Sequence, residues 1–483
     1  MASLNVPSSS FDTNPKPGPP VSVNHAKCVI EVGGPGKTVD VVVPLVTSGR
    51  IYFIYDNNLE FFLTRGAYGP NIVQPSITNR SDRNYNKDWT FSEFSFNDRE
   101  VYANISFVDF VSLPIAMSLK PHGQQPSHVR GFPKDGLQRL RDGLVAQKKI
   151  DRVDWDKLVV LDSTDNANHR ILRVLSPGNA MDLFKAEGFL QNYFDEYAGA
   201  CWGKYKNQQL IIDTQKREWG VVYGSLAGNE LVFKKPSGEQ IGAFRVPRTY
   251  DIFGADQGVF KAVPGPHKHL MLNIGARLDA ALNRSTLHSN ANQPDHDGLI
   301  ETYYKHKICN HYAHWVHALT KDKKGYAFAY DDVKNGIKDQ SGFLAHSNPE
   351  WLMFNVGGGE IATMATITTS AIMKRSVDLG QDLKEMPEPP PYVQNMLPRN
   401  YDLVSNHQML HTEFTRSEPV GSEKHEFPQL LNETVLPAQS HTSRFSLPIS
   451  LQDFIGKYLF WLQEYIFANL AVGSLLSNYL LIY

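Results

Sequence analysis

DWTFSEFSFNDREVYANISFVDFVSLPI, residues 88–115, decides how the rest of the chain is read. Two runs rich in Phe, Val, Ile, Tyr and Ser flank the turn-forming string Asn97-Asp98-Arg99-Glu100, the signature of a β-hairpin. Each arm carries one acid among apolar neighbours: Glu93 beside Phe91 and Phe94, and Asp109 between Val108 and Phe110. A carboxylate in such surroundings is costly unless it is paired or used. Two carboxyl groups on adjacent strands are also the minimum equipment for glycoside hydrolysis.

The spacing of the two acids carries further information. With the turn at Asp98-Arg99, Glu93 falls opposite residues 104–106, and Asp109 lies roughly three to five residues further along the second arm. At ~3.3 Å per residue the offset is on the order of 10 Å before side chains lean together. That is closer to the wide separation of inverting glycosidases than to the ~5 Å of retaining ones. Tyr102, Asn104 and Ser106 share one strand face, whereas Asp109 has the opposite parity. A β-bulge between Ser106 and Asp109 is therefore expected if all four meet on one surface. On chemistry alone, a hydrogen-bonded or rim-exposed acid pair is the plainer account.

Composition bounds the rest. The chain has 483 residues, 41% hydrophobic and 11% aromatic, enough for two or three domains with a sizeable core. Lys plus Arg number 48 against 50 Asp plus Glu, so no electrostatic footprint for nucleic acid exists. The three cysteines, Cys28, Cys201 and Cys309, give no disulfide framework and no zinc spacing. At most one bridge can form, and buried free thiols are the expectation. The N-terminal stretch lacks the basic and apolar regions of a secretory signal, so the chain as written is expected to start in the cytosol.

Along the chain, residues 1–24 are Ser-, Pro- and Asn-rich and read as disordered. Strand signals begin near Cys28 and run through residues 50–55 and 59–63 to the hairpin. Helical spacing appears over 134–147 and near 181–197, with strands at 157–161, 171–174, 209–212 and 230–233. These alternating signals predict an α/β subdomain over about 118–245 inside a domain spanning 25–360. Short helices follow at 274–283 and 310–319, and a strand at 351–356 ends at three glycines. Residues 361–457 are Pro-, Ser- and Thr-rich with little periodicity. Residues 458–483 are strongly apolar, long enough to span a bilayer but interrupted by Gln463, Glu464, Asn469 and Asn478. This last segment reads as a tail anchor, a packed helix or an extension without function, the last being preferred.

Several strings together carry a family resemblance. They are RIYF (50–53), NIVQPS (71–76), WTFSEFSFND and YANISFVDFVSLPI in the hairpin, RVLSP (173–177), NRSTL (283–287), NHYAHWVHAL (310–319) and GYAFAYDDV (325–333). In order and spacing the chain resembles glycoside hydrolase family 64, the laminaripentaose-producing type of β-1,3-glucanase, from about residue 27 to 359. The resemblance implies a mainly β fold with an α/β part: a thaumatin-like β-barrel or sandwich domain, a mixed α/β domain, and a wide groove between them. It implies inverting, endo-acting hydrolysis of β-1,3-glucan without a cofactor, by a chain expected to be monomeric. Glu93 then matches the general acid and Asp109 the general base, while Ser95, Asn97, Tyr102 and Ser106 match glucan-binding positions. At three of these, Ser and Tyr stand where better-known members carry Thr and Trp. The competing reading is a thaumatin-like glucan-binding protein without turnover. The family's substrate implies an extracellular site of action, although no signal segment is evident. For the acid role, Phe91 and Phe94 are expected to desolvate Glu93, with Ser106 and Ser112 as donors to Asp109.

Other candidates are weaker. His311, His314 and His317 are spaced at i, i+3 and i+6, which spreads them round a helix and matches no zinc motif, so packing or groove-lining roles are preferred to a metal. The Asp331-Asp332 pair reads as a turn anchor rather than a cleft lining. Glycosylation sequons start at Asn79, Asn104, Asn283 and Asn432, of which Asn104 falls in the proposed groove.

Overall fold

The hairpin forms as its sequence dictates. Trp89–Phe96 and Val101–Ile105 pair antiparallel, with Glu93 opposite Asn104 and Ser95 opposite Tyr102. Asn97 closes the turn: its Oδ1 accepts the amides of Arg99 and Glu100, which satisfies backbone donors that the ladder cannot reach. In the first arm every residue except Glu93 is buried, because both faces of the sheet are covered. The buried Ser92 hydroxyl is satisfied by the Asn104 carbonyl.

This computed structural model describes residues 29–358, apart from 44, 56, 67–68, 166–169, 295–299 and 334–339, together with strand residues 2–3, 21–22 and 479–482. They belong to one compact unit comprising 1–380 and 468–483; a second unit, 381–467, lies outside the described residues. Around the hairpin runs a six-stranded sheet in the order Phe343–His346, Val101–Ile105, Trp89–Phe96, Val46–Ile54, Tyr479–Ile482, Val29–Ile30. Its first four strands are antiparallel neighbours, and the last two join in parallel. A three-stranded sheet of Ser127–Val129, Ile115–Pro121 and Pro349–Val356 packs in the same large core, as do the helices Gly136–Asp151 and His311–Leu319.

A second core draws on residues from Phe194 to Ile308. Its five-stranded sheet has the order Gln240–Arg245, Glu230–Lys234, Val221–Ala227, Leu210–Asp213, Asn292–Gln293. Alternation is plain here: Leu210, Ile212, Val222, Leu231 and Phe233 are buried, while Glu230 and Lys234 are exposed. The apolar face is covered by the helices Asp195–Lys204 and Lys268–Asn283 through Trp202, Ile274 and Leu278. The architecture is thus mixed α/β, built mostly of strands, and among the described residues no sheet closes into a barrel.

One helix expectation is revised. The helix read near 181–197 is two, Pro177–Leu183 and Asp195–Lys204, separated where Gly188 takes φ 64, a left-handed conformation that ends helices. Within residues 1–24, Ala2–Ser3 and Val21–Ser22 are strands, and the rest lies outside the described residues. Of the apolar C-terminal segment, Tyr479–Ile482 is a strand, and 458–478 lies outside the described residues. Among the described residues no helix is long and apolar enough to cross a membrane. Cys201 and Cys309 are buried free thiols, and Cys28 lies outside the described residues.

Candidate active site

Glu93 emerges from an otherwise buried strand onto one face of the central sheet. Alternation places Tyr52, Arg50, Phe91, Glu93, Ser95, Tyr102 and Asn104 on that face, since Arg50 pairs with Glu93 and Glu93 with Asn104. Phe94 has the opposite parity and packs in the core against Gly49, so it cannot desolvate Glu93 as the sequence reading expected. Phe91 shares Glu93's face but lies under Arg50, whose guanidinium carbon is 4.5 Å from the ring centroid. Arg50, not an aromatic, is the group on Glu93. Its Nε and Nη2 donate to Glu93 Oε1 at 3.0 and 2.8 Å. Gln74 Oε1 accepts from Arg50 Nη1 at 2.5 Å and from the Tyr52 hydroxyl at 2.8 Å.

Asp109 reaches the same region by a route the sequence did not give. Instead of a bulge in a continuing strand, the chain leaves the sheet after Ile105. Ser106 bridges to Tyr326, and Phe110–Val111 joins a different sheet against Ile171–Leu175. The crossover is pinned from several sides. Phe107 N donates to Tyr326 O at 2.7 Å, the buried Tyr312 hydroxyl to Phe107 O at 2.6 Å, and Ser176 N to Asp109 O at 2.9 Å. Phe110 then packs back on the site face, against Trp89 and Phe91 with ring centroids 4.9 and 6.0 Å away. Parity is no longer binding once a residue has left its strand.

The two acids are electrostatically joined through Arg50. Burial acts against the guanidinium's charge, but the fields of Tyr52, Glu93 and Asp109 outweigh it and hold Arg50 above its ordinary range. Tyr102 shows the reverse: burial first, then Asp332 and Glu93, push its hydroxyl up to about 12, so it remains a neutral donor. Its ring stacks on Phe343 at 5.4 Å and 17°, and its hydroxyl lies 3.3 Å from that of Tyr326. Asn179 Nδ2 lies 3.3 Å from Asp109 O, 3.4 Å from its Oδ1 and 3.1 Å from Ser176 Oγ.

The remaining predicted residues divide. Ser95 is on the site face but buried, its hydroxyl accepting the Ser48 amide at 3.0 Å. Asn97 is half-buried and occupied with the turn. Ser106 is half-buried, with its Oγ 3.4 Å from Val108 N. Ser112 is not a donor to Asp109, because it is buried and donates to Leu172 O at 2.7 Å. Both ring nitrogens of His317 are engaged by protein oxygens, Lys323 O and Asp331 Oδ2. His314 stacks on Tyr304, and burial first, then His311 and His317, lower it to about 4. No cluster of metal-ligating side chains occurs among the described residues. Asp331 is the buried anchor of its turn, whereas Asp332 is half-buried and within the field of Tyr102. Among the sequons, Asn104 and Asn283 are buried, Asn79 is exposed and Asn432 is outside the described residues.

Arg50, Tyr52, Gln74 and Asn179 were given no role by the sequence reading. Three of them sit inside its own strings RIYF and NIVQPS. The signal was an arginine on a strand next to an acid-bearing hairpin, legible only once the register is known.

Residues 3–356 match the β-1,3-glucanase family, glycoside hydrolase family 64. Two curated relatives, glucan endo-1,3-beta-glucosidases from Cellulosimicrobium cellulans and Arthrobacter sp. (strain YCWD3), are each 28% identical over 287 residues, covering 59% of this chain and 48% of theirs. The chain thus spans about half the length of these relatives. Among solved structures, it is similar to a laminaripentaose-producing β-1,3-glucanase in complex with laminaritetraose, with a TM-score of 0.55 and 27% identity, over 64% of this chain and 77% of that one. The β-1,3-glucanase domain from Clostridium beijerinckii shares the fold, with a TM-score of 0.51 and 23% identity, over 63% of this chain and 73% of that one.

Proposed function

The chain belongs to the β-1,3-glucanase family, glycoside hydrolase family 64, and from that premise we propose that it hydrolyses β-1,3-glucan by endo attack, releasing short oligosaccharides. The observation that carries the reading is the placement of Glu93 and Asp109. Glu93 is the one residue of its strand that is not buried, and both carboxyl groups act on the same guanidinium. A binder without turnover has no need of that pair.

In the proposed mechanism Glu93 protonates the glycosidic oxygen as the bond to C1 breaks. Asp109 takes the proton of a water that attacks C1 from the opposite side, which inverts the anomeric configuration. Ser95, Asn97, Tyr102 and Ser106 belong to the glucan-binding surface in this reading. The Tyr102 ring, backed by Phe343, offers an apolar sugar platform, and its neutral hydroxyl a hydrogen-bond donor. The thaumatin-like description of the fold, a groove between the two parts of the chain, the absence of a cofactor and a monomeric state complete the proposal.

The deciding experiment incubates the full chain with laminarin and follows reducing ends, with proton NMR of the first-formed anomer. Internal cleavage with α-anomeric products is expected. Binding to insoluble β-1,3-glucan without release of reducing ends would establish the non-catalytic alternative.

A further inference from the structure

Arg50 deserves a role of its own because of how it holds Glu93. Both of its bonds fall on a single oxygen, Oε1, at 3.0 and 2.8 Å, which leaves Oε2 outside the clamp. The guanidinium is itself fixed. Gln74 holds Nη1, Tyr52 shares the same Gln74 oxygen, and Phe91 underlies the plane. Four residues from two strands and a loop thus set the orientation of one carboxyl group. An ion pair kept merely for stability has no need of such a frame, since partly exposed pairs contribute little.

We propose that Arg50 is a positioning residue that acts through Glu93, fixing Oε1 so that Oε2 carries the transferable proton, and stabilising the carboxylate left after transfer. The inference rests on the assignment of Glu93 as the acid made above. In the step itself, the Oε2–H bond breaks and the proton goes to the glycosidic oxygen. The electrons of the C1–O bond stay on that oxygen as it leaves. The water oxygen bonds to C1 and gives a proton to Asp109. Glu93 ends ionised and Asp109 protonated, and exchange with solvent restores both. Arg50 keeps its charge throughout and meets a full negative partner only after the transfer, so its attraction grows along the reaction.

The test compares wild type, Glu93→Gln, Arg50→Gln and Arg50→Lys on laminarin and on a 2,4-dinitrophenyl β-laminaritrioside, whose leaving group departs without a proton. Cleavage by wild type and its loss in Glu93→Gln establish the underlying reading first; failure there overturns that reading, and this inference with it. Given both, Arg50→Gln should lower kcat on laminarin roughly 10- to 100-fold with KM within about twofold. On the dinitrophenyl substrate its defect should shrink to about threefold or less. Arg50→Lys keeps the charge but not the paired donors, so kcat on laminarin should fall to an intermediate value. Should Arg50→Gln not fold, Arg50→Lys decides alone: a laminarin defect that vanishes on the dinitrophenyl substrate supports the inference. Equal defects of either variant on both substrates overturn it while leaving the hydrolase reading intact.

Discussion

His317 Nε2 lies 2.7 Å from Asp331 Oδ2, in a part of the core where neither side chain exceeds 4% exposure. Arg284 Nη2 takes the other oxygen of the same carboxylate at 2.9 Å, and the Ala327 amide donates to Oδ2 at 3.0 Å. Arg284 also donates to the carbonyls of Val333 and Asp331. The network staples residues 325–333 to two helices, and the start of that loop, Tyr326, is what Ser106 and Phe107 pair with. A metal reading of His317 and a cleft reading of Asp331 are both displaced by one buried ion cluster.

Removing that carboxylate should be expensive. Asp331→Ala leaves Arg284 and His317 buried without their partner, a class of change that costs about 3–5 kcal/mol. Urea unfolding should show a lower midpoint with an unchanged slope. Although burial works against its charge, His317, Arg284 and the Ala327 amide hold Asp331 below the ordinary carboxylate range. A depressed folded-state value means stability that is complete above the unfolded value of about 3.9 and is lost as pH falls below it. The acid-side decline in stability should therefore be shallower in Asp331→Ala than in wild type.

Glu93→Gln and Asp109→Asn should each reduce laminarin cleavage by roughly 10²-fold or more, the usual worth of general acid–base catalysis. Both side chains are partly exposed, and near-isosteric replacement should leave the circular dichroism spectrum and retention on insoluble glucan unchanged. Retained turnover in either variant removes that residue from the mechanism.

Asn179→Ala separates orientation from chemistry. Asn179 lies between Asp109 and Ser176, so its loss should lower kcat by roughly tenfold, as expected of a bond that fixes the proposed base. The melting temperature should move little. Steady-state kinetics beside a thermal melt would check both.

Phe343→Ala removes the ring behind Tyr102. An aromatic pair is worth about 0.5–1.5 kcal/mol beyond its buried area, so KM for laminarin should rise about threefold to tenfold while kcat stays near wild type. Equal losses in kcat and kcat/KM would place the ring in the chemistry rather than in binding.

Gly131→Ala probes the close approach of the chain after Ser127–Val129 to the start of the strand Ile115–Pro121. Gly131 has φ +58, and a Cβ there would stand 1.9 Å from the Ile115 carbonyl oxygen. Backbone must move, so a loss of at least about 2 kcal/mol is expected in chemical denaturation.

The sequence by itself determined the hairpin, the pairing of Glu93 with the stretch around Asn104, the alternating strands of the second core and the helix His311–Leu319. Those features follow from local propensity and period, which neighbours in the chain suffice to set. The split of the helix near 181–197 lay within reach too, since Gly188 marks it. What surrounds Glu93 was decided only by tertiary structure. Phe94 adjoins it in sequence yet sits on the other side of the sheet, whereas Arg50 is 43 residues away and forms its ion pair. Asp109 likewise reaches the site by leaving its strand, through bonds to Tyr326, Tyr312 and Ser176 that lie far off in the chain. Side-chain parity is a property of one strand, but register between strands, and the point where a chain quits its sheet, depend on contacts that close long loops. The acids could be read from the sequence; the arginine that joins them required the fold.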